Sequence, residues 1–133
     1  MTATGGDLIT LTIPADEGFD WIAYLVLGGL AVRLDVTFEH LEDLNLALEG
    51  LLEERADDGE VTVAVRVLGD ELQTSVGPFA PGHLRAELER EPREGVGLKR
   101  VLSTVMDAFD VADRDGGEWI EMRKTVQRVR RNG

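Results

Sequence analysis

The chain has 133 residues, which suits one domain with one core, so we expect a single domain over residues 1–133 with flexible tails at 1–7 and 127–133. The net charge of −12 opposes direct binding to nucleic acid or to an anionic membrane. Cysteine is absent, and the two histidines have no metal-ligand spacing, so no metal site is expected. The first residues lack a basic segment, and the longest apolar run, 21–32, is shorter than the ~20 residues of a membrane span. We therefore expect a cytoplasmic protein.

The first half of the chain predicts one strand and two helices. Apolar residues alternate with threonine at 8–13, and a proline ends the run, which is typical of an edge strand. Residues 19–34 show helical spacing, with a glycine pair that permits a close approach or a bend. Thr37 is a good N-cap for a second helix that should run to about Ala56. One apolar stripe on this helix predicts its core face, formed by Leu41, Leu44, Leu48, Leu51 and Leu52.

The second half predicts mainly strands. Residues 60–67 alternate most clearly, Gly69-Asp70 suits a turn, and residues 72–76 would return as the hairpin partner. Residues 77–82 contain two prolines and two glycines, so we expect no regular structure there. The remaining elements are predicted as a short helix at 83–90, a helix at 98–108, a strand at 109–112, a turn at 113–117 and a strand at 118–126.

This order mixes strands and helices without strict βαβ alternation. It predicts an α+β fold, with helices on one face of a mostly antiparallel sheet. The segment at 83–90 is bounded by helix breakers and precedes a glycine-rich loop. Two interpretations remain open for it, a mobile lid over a site or a plain surface connection.

The loop Gly95-Val96-Gly97-Leu98 opens the predicted helix at 98–108. Bare backbone at the two glycines would let an anion approach, and free N–H groups of the helix would point at that anion. An ordinary loop-to-helix turn explains the same residues, because a glycine pair by itself is a weak motif.

Several segments in this order resemble the anti-sigma-factor serine kinases of bacterial partner-switching systems. The resemblance covers residues 8–126 and rests on Ile13-Pro14-Ala15, on residues 42–48, and on Gly95-Val96-Gly97-Leu98 with Met106-Asp107 downstream. These kinases have the Bergerat fold, the histidine-kinase-like ATPase sandwich shared with gyrase. The resemblance therefore implies that fold and an ATP site made of three sequence boxes.

The first implied box departs from the family pattern. The family has a Glu and, four residues later, an Asn that holds Mg²⁺ between the phosphates; the matching positions here are Gly50 and Glu54. A register slip of one residue would offer Glu49 and Glu53, and neither register supplies the Asn. A carboxylate can bind Mg²⁺, but it would also repel the triphosphate.

The second implied box is altered as well, whereas the third is retained. The family uses an Asp after the hairpin's return strand to accept from the adenine amino group, but the segment from Ser75 to Pro78 contains no acid. In the third box Gly95 and Gly97 match, and Leu98 and Lys99 follow in the helix. The residual nucleotide-binding residues implied by resemblance are therefore Gly95, Gly97, Leu98 and Lys99.

These matches imply a regulatory protein that binds a sigma factor, a STAS-type anti-anti-sigma protein or both, and that forms a homodimer without contacting nucleic acid or a membrane. ATP with Mg²⁺ is the cofactor of the family, but two of the three boxes are altered in this chain. We therefore expect nucleotide binding and kinase activity to be lost or weak, and we assign no catalytic residue. The alternative is an active serine/threonine kinase with Glu54 or Glu53 on the metal. A third possibility is an interaction module for unrelated partners. The helices at 19–34 and 37–56 are the expected partner face.

Overall fold

The computed structural model describes residues 8–13, 29, 36–54, 59–90 and 95–126. Within these ranges it contains five strands and three helices, and none of these helices is long and apolar enough to cross a membrane. The predicted helix at 19–34 lies outside the described residues except for Gly29, which is helical and exposed. The predicted tails also lie outside them. The elements in chain order are β1 Ile9–Ile13, α1 Phe38–Leu52, β2 Val61–Leu68, β3 Glu71–Phe79, α2 His83–Glu89, α3 Leu98–Val105, β4 Ala108–Arg114 and β5 Gly117–Thr125.

The five strands form one antiparallel sheet in the order β1-β2-β3-β5-β4. β1 is an edge strand, as its sequence predicts, and β2 and β3 form the predicted hairpin around Gly69-Asp70. Every second residue of β2 is buried, and its partners in β3 share that face, as Val63 opposite Val76 shows. The buried face packs under the helices, so the predicted α+β fold with helices on one face is confirmed.

Helix α1 provides much of the core. It begins after Thr37, as predicted, although the Thr37 side chain makes no capping hydrogen bond. Val36 and Leu41, placed to contact each other across that cap, are both buried. The whole predicted leucine stripe is buried and joins one cluster with residues of β2, β3 and β5.

Two helices end earlier than the sequence predicts. α1 ends at Leu52 rather than near Ala56, because Glu54 N–H bonds to the Leu51 carbonyl in a tighter turn at 3.0 Å. α3 ends at Val105 rather than at 108, because Met106 is extended (φ −117°, ψ 150°). Asp107 N–H then donates to a β5 carbonyl at 2.9 Å, which starts the β4 pairing.

The prediction of irregular structure at 77–82 is wrong for its first three residues. β3 continues through Gly77 and Pro78 to Phe79, and the Gly77-Pro78 peptide bond is cis. The pairing with β5 shifts register between Val76 and Phe79, which accommodates a proline that cannot donate to the ladder. Glycine is needed at 77, because a Cβ there would lie 2.5 Å from Cδ2 of Trp119.

The turn between the last two strands is also shorter than predicted. Only Asp115 and Gly116 lie in it, and both have positive φ, 54° and 78°. This is the dihedral requirement of a tight two-residue hairpin, and Asp-Gly is a favoured pair for it. Residues 113, 114 and 117, which the sequence assigns to the turn, belong to strands.

Candidate functional site

A cavity of about 210 Å³ lies where the end of α1, the helix α2 and the start of α3 meet. Its position next to the glycine loop makes it the candidate nucleotide site. It is smaller than the range of about 300–1,000 Å³ that is typical of small-molecule pockets. Its walls come from three segments and include Gly50, Glu53, Glu54, Glu87, Arg90, Val96, Gly97, Leu98 and Val101.

The structure brings the first and third boxes together in this cavity. Gly50 and Glu54, from α1 and the turn after it, line the same cavity as Gly97 and Leu98. A Cβ at Gly50 would lie 3.3 Å from Cδ1 of Leu98, so the leucine packs directly over the glycine. The space where a larger side chain would project at position 50 is therefore occupied by Leu98.

Glu54, which the resemblance would align with the magnesium-binding Asn of the family, already has a partner. Its Oε2 lies 2.9 Å from Nε2 of His83, at the first residue of α2. The Glu54 side chain is mostly buried and the His83 side chain is partly exposed. This contact joins the end of α1 to the start of α2 along one side of the cavity.

The charges around the cavity are mostly negative. Glu53, Glu54 and Glu87 line it, and Arg90 is the basic residue among the lining residues. Arg90 Nη1 donates to Oε1 of Glu87 at 3.2 Å, so its charge is partly neutralised. Three carboxylates would repel a triphosphate, and no cluster of the described His, Asp and Glu side chains has the geometry to hold a metal ion. The described residues that line the cavity therefore do not fit Mg-ATP.

The glycine loop has the predicted loop-to-helix geometry. Gly95 has φ 75°, in the left-handed region that favours glycine, and Gly97 occupies the N-cap position of α3. Leu98 is buried as the first residue of the helix. Lys99 is exposed and is not one of the cavity-lining residues, and Gly95 is also exposed outside the lining. Of the four residual positions, Gly97 and Leu98 reach the cavity.

The second box lies elsewhere. Ser75 pairs with Ala64 and Glu121, and its neighbours Thr74 and Val76 are the buried residues, so Ser75 lies on the sheet face away from the helices. Pro78 is exposed after the register shift. Neither residue lines the cavity. The structure does not bring Ser75 and Pro78 together with the other two boxes.

Sequence reasoning missed the buried carboxylate of Glu118 at the start of β5. Glu118 is fully buried, and its Oε1 accepts from Leu84 N–H at 2.7 Å while its Oε2 accepts from Arg85 Nη1 at 2.8 Å. The N-cap residue of α2 is Gly82, which has no side chain to cap the helix, so Glu118 satisfies a free N–H group of its first turn. The sequence offered one signal for this site: Glu118 is a charged residue in a predicted strand, at a position where the alternation places side chains on the buried face.

Arg85 links this carboxylate to the neighbouring strand. Its Nη1 also donates to Oδ1 of Asp113 at 2.7 Å, and its Nη2 donates to the Val111 carbonyl at 3.3 Å. The hydrogen bond that Arg85 donates to Asp113, followed by the charges of both carboxylates, raises the pKa of Arg85 above its ordinary value despite the opposing effect of desolvation. The contacts among Arg85, Glu118 and Asp113 hold α2 over the sheet, and both carboxylate oxygens of Glu118 accept hydrogen bonds from α2.

The antiparallel sheet covered by helices on one face, with a glycine loop opening α3 at a cavity, is consistent with the histidine-kinase-like fold. No family model matches the chain. Part of a chain in the crystal structure of the RsbU and RsbW domains of Rv1364c from Mycobacterium tuberculosis has the same fold, with a TM-score of 0.65 at 15% identity. The match covers 94% of this chain and 33% of that one.

Several curated relatives are named serine-protein kinase RsbW. The Bacillus velezensis protein is 28% identical over 137 aligned positions, which cover 86% of this chain and 83% of the relative. The Bacillus subtilis protein is 26% identical and covers 83% and 81%. A Listeria monocytogenes protein is 33% identical over 81 positions, which cover 56% and 52%. The chain is thus a relative of the RsbW serine-protein kinases, and its resemblance to anti-sigma-factor serine kinases is confirmed.

Proposed function

We propose that this protein is a regulatory protein of the anti-sigma-factor type that acts by protein–protein binding and has lost Mg-ATP-dependent phosphorylation. Its partners would be a sigma factor, a STAS-type anti-anti-sigma protein or both, and it would act in the cytoplasm as a homodimer. The similarity to RsbW proteins over most of the chain supports the regulatory class.

The chemistry of the cavity supports the loss of phosphorylation. Phosphoryl transfer needs Mg²⁺ to neutralise the charge on the transferred group and a site that aligns that group. Here the two positions of the first box are a glycine beneath Leu98 and a glutamate held by His83. This replacement of the metal site is the observation on which the proposal depends most.

An active serine/threonine kinase is the second candidate. The retained turn from Gly97 into α3 favours it, since this turn presents helix N–H groups at the edge of the cavity. The names of the relatives favour it as well. Such a kinase would need Glu53 or Glu54 to bind the metal, and Glu54 would first have to leave His83.

A binding and phosphorylation experiment distinguishes the two candidates. The purified full chain is titrated with each sigma factor and each STAS protein encoded in the source genome, with and without millimolar Mg-ATP. We expect at least one complex, unchanged by the nucleotide, and no phosphoserine in any STAS protein by mass spectrometry. Phosphate transfer to a STAS serine would establish the kinase, and the absence of every such complex would overturn the regulatory proposal.

A further inference from the structure

The solvent-facing side of α1 has apolar and acidic residues in close alternation. Phe38, Glu42 and Leu46 are spaced four residues apart, and Glu53 follows two turns after Leu46, so all four lie within one arc of the helix. Phe38 is 70% exposed and Leu46 is 50% exposed, and both glutamates are exposed. We call these four residues the outer face of α1.

The apolar residues of the outer face do not serve the core. The opposite side of α1 is the buried leucine stripe, and it already packs against the sheet. Four large apolar side chains are exposed among the described residues, and two of them lie on this single face. Single exposed apolar residues are ordinary, whereas neighbouring ones on a helix face are typical of a binding surface.

The charge of the outer face has one sign. Residues 38–53 contain no lysine or arginine. On the flank of the helix, Asp43 is paired with Lys124 at 3.0 Å, and Lys124 also donates to the Val105 carbonyl at 2.8 Å. Lys124 is therefore engaged elsewhere, and no ion pair among the described residues joins a lysine or arginine to Glu42 or Glu53.

We infer that the outer face of α1 binds a basic amphipathic helix of a partner protein. The apolar side of that helix would cover Phe38 and Leu46, and its Lys and Arg residues would pair with Glu42 and Glu53. Amphipathic helices bind such faces through anchors at helical spacing, and complementary charge accelerates their association. The inference rests on the proposed function and specifies the chemistry of the partner's binding element.

A second copy of this chain fits the outer face less well. A symmetric dimer would place the same surface on both sides of the interface, so the glutamates of each copy would face an equally acidic helix. Like charges across an interface are unfavourable. A dimer of this protein would therefore use another surface.

Two designed peptides test the charge preference directly. The probe is an amphipathic helix with leucines on one side and lysines on the other, and the control peptide has glutamates in place of the lysines. We expect fluorescence anisotropy with the full chain to show binding of the lysine peptide that weakens as salt is added, and no binding of the glutamate peptide. Equal binding of both peptides, or of neither, would overturn the inference.

Matched variants test the location. Leu46→Ala and Glu42→Lys should each weaken binding of the lysine peptide by about fivefold or more. Their controls are Leu8→Ala, which truncates another exposed leucine, and Glu121→Lys, which reverses a charge on the opposite face of the sheet. Both controls should bind as the wild type does. An equal loss in Glu42→Lys and Glu121→Lys would mean that only the overall charge matters, which would contradict the inference.

Two further outcomes separate this inference from the proposed function. If the chain binds a sigma factor or STAS protein and Leu46→Ala and Glu42→Lys bind it equally well, the inference fails while the proposed function stands. If the chain binds neither class but the peptide shows the expected variant pattern, the proposed function fails and the outer face remains a site for basic helices. A dimer that dissociates in Leu46→Ala would identify a second copy as the occupant and overturn the inference.

Discussion

Glu118 and Arg85 form an ion pair at 2.8 Å in which the carboxylate is fully buried while the guanidinium remains half exposed. The pair connects β5 to the first turn of α2, the helix that closes one side of the cavity. With the bond from Leu84 N–H to Glu118, it fixes a helix of only seven residues that has no side-chain cap of its own.

Arg85→Ala should destabilise the protein strongly. It leaves the buried Glu118 carboxylate without its cation, and a buried charge that has lost its partner is strongly destabilising. Urea unfolding measures the change in the free energy of unfolding. Arg90→Ala is the matched control, because its pair with Glu87 on the same helix is exposed and should contribute about 0–1 kcal/mol. Equal losses for the two variants would show that Glu118 does not depend on Arg85.

Gly77→Ala should also destabilise the fold. The added methyl group would overlap the Trp119 ring on the neighbouring strand, and overpacking of this kind costs about 1–3 kcal/mol. Ser75→Ala, two residues earlier on the same face of β3, should change stability by less than about 0.5 kcal/mol. In a Trp119→Leu background the cost of Gly77→Ala should fall. A cost that persists there would place the strain in the backbone rather than at the ring.

Asp107 should make stability depend on pH at the acid end. Its hydrogen bond from Thr125 N–H, at 2.5 Å, is the main cause that lowers the pKa of its carboxyl. A lowered folded-state pKa means that the stabilisation is present above the ordinary aspartate value of about 3.9 and is lost as the pH falls through the folded value. Since the group is exposed, the effect should be below about 1 kcal/mol.

Asp107→Asn tests this dependence, because asparagine keeps an acceptor and removes the charge. Urea unfolding across a pH series should show the variant less stable than the wild type at neutral pH, with the difference shrinking as the solution becomes acidic. Asp110→Asn is the control. Among the described residues, the exposed Asp110 carboxylate accepts from the Arg123 side chain and from no backbone N–H, so this variant should give a smaller difference in stability. A difference for Asp107→Asn that stays constant with pH would be inconsistent with the carboxylate's role.

Glu54→Asn should not create a nucleotide site. It supplies the residue type that the family resemblance assigns to the metal, yet Gly50 remains beneath Leu98 and Glu53 and Glu87 still line the cavity. We expect no stabilisation by Mg-ATP and a loss of less than about 1 kcal/mol from the contact with His83. Glu54→Gln serves as the control for that contact. If Mg-ATP stabilised Glu54→Asn but neither the wild type nor Glu54→Gln, the glutamate at position 54 would be the single residue that prevents nucleotide binding, which would contradict this prediction.

The parts of the fold that depend on local pattern could be predicted from the sequence. The leucine stripe of α1, the alternation in β2 and the turn at Gly69-Asp70 each reflect neighbours along the chain. The glycine loop likewise gives its predicted turn into α3. Helix ends were less predictable, because α3 ends where Asp107 meets a strand far along the sequence.

The features that depend on distant residues could not be predicted in this way. β3 continues through Gly77-Pro78 because β5 pairs with it across a register shift, which no local rule for proline and glycine anticipates. Glu118 and Leu84 are 34 residues apart, so the cap of α2 has no signature near α2. The packing of Leu98 over Gly50 also joins two helices, and it determines the shape of the candidate site.

A Mg-ATP titration of the wild-type chain tests the central claim most directly. A nucleotide present at 100 times its dissociation constant would stabilise the folded state by about 2.7 kcal/mol, which a thermal-shift measurement detects. The acidic lining of the cavity predicts no shift at millimolar ATP with or without Mg²⁺. A saturable shift that requires Mg²⁺ would contradict this account and favour an active kinase.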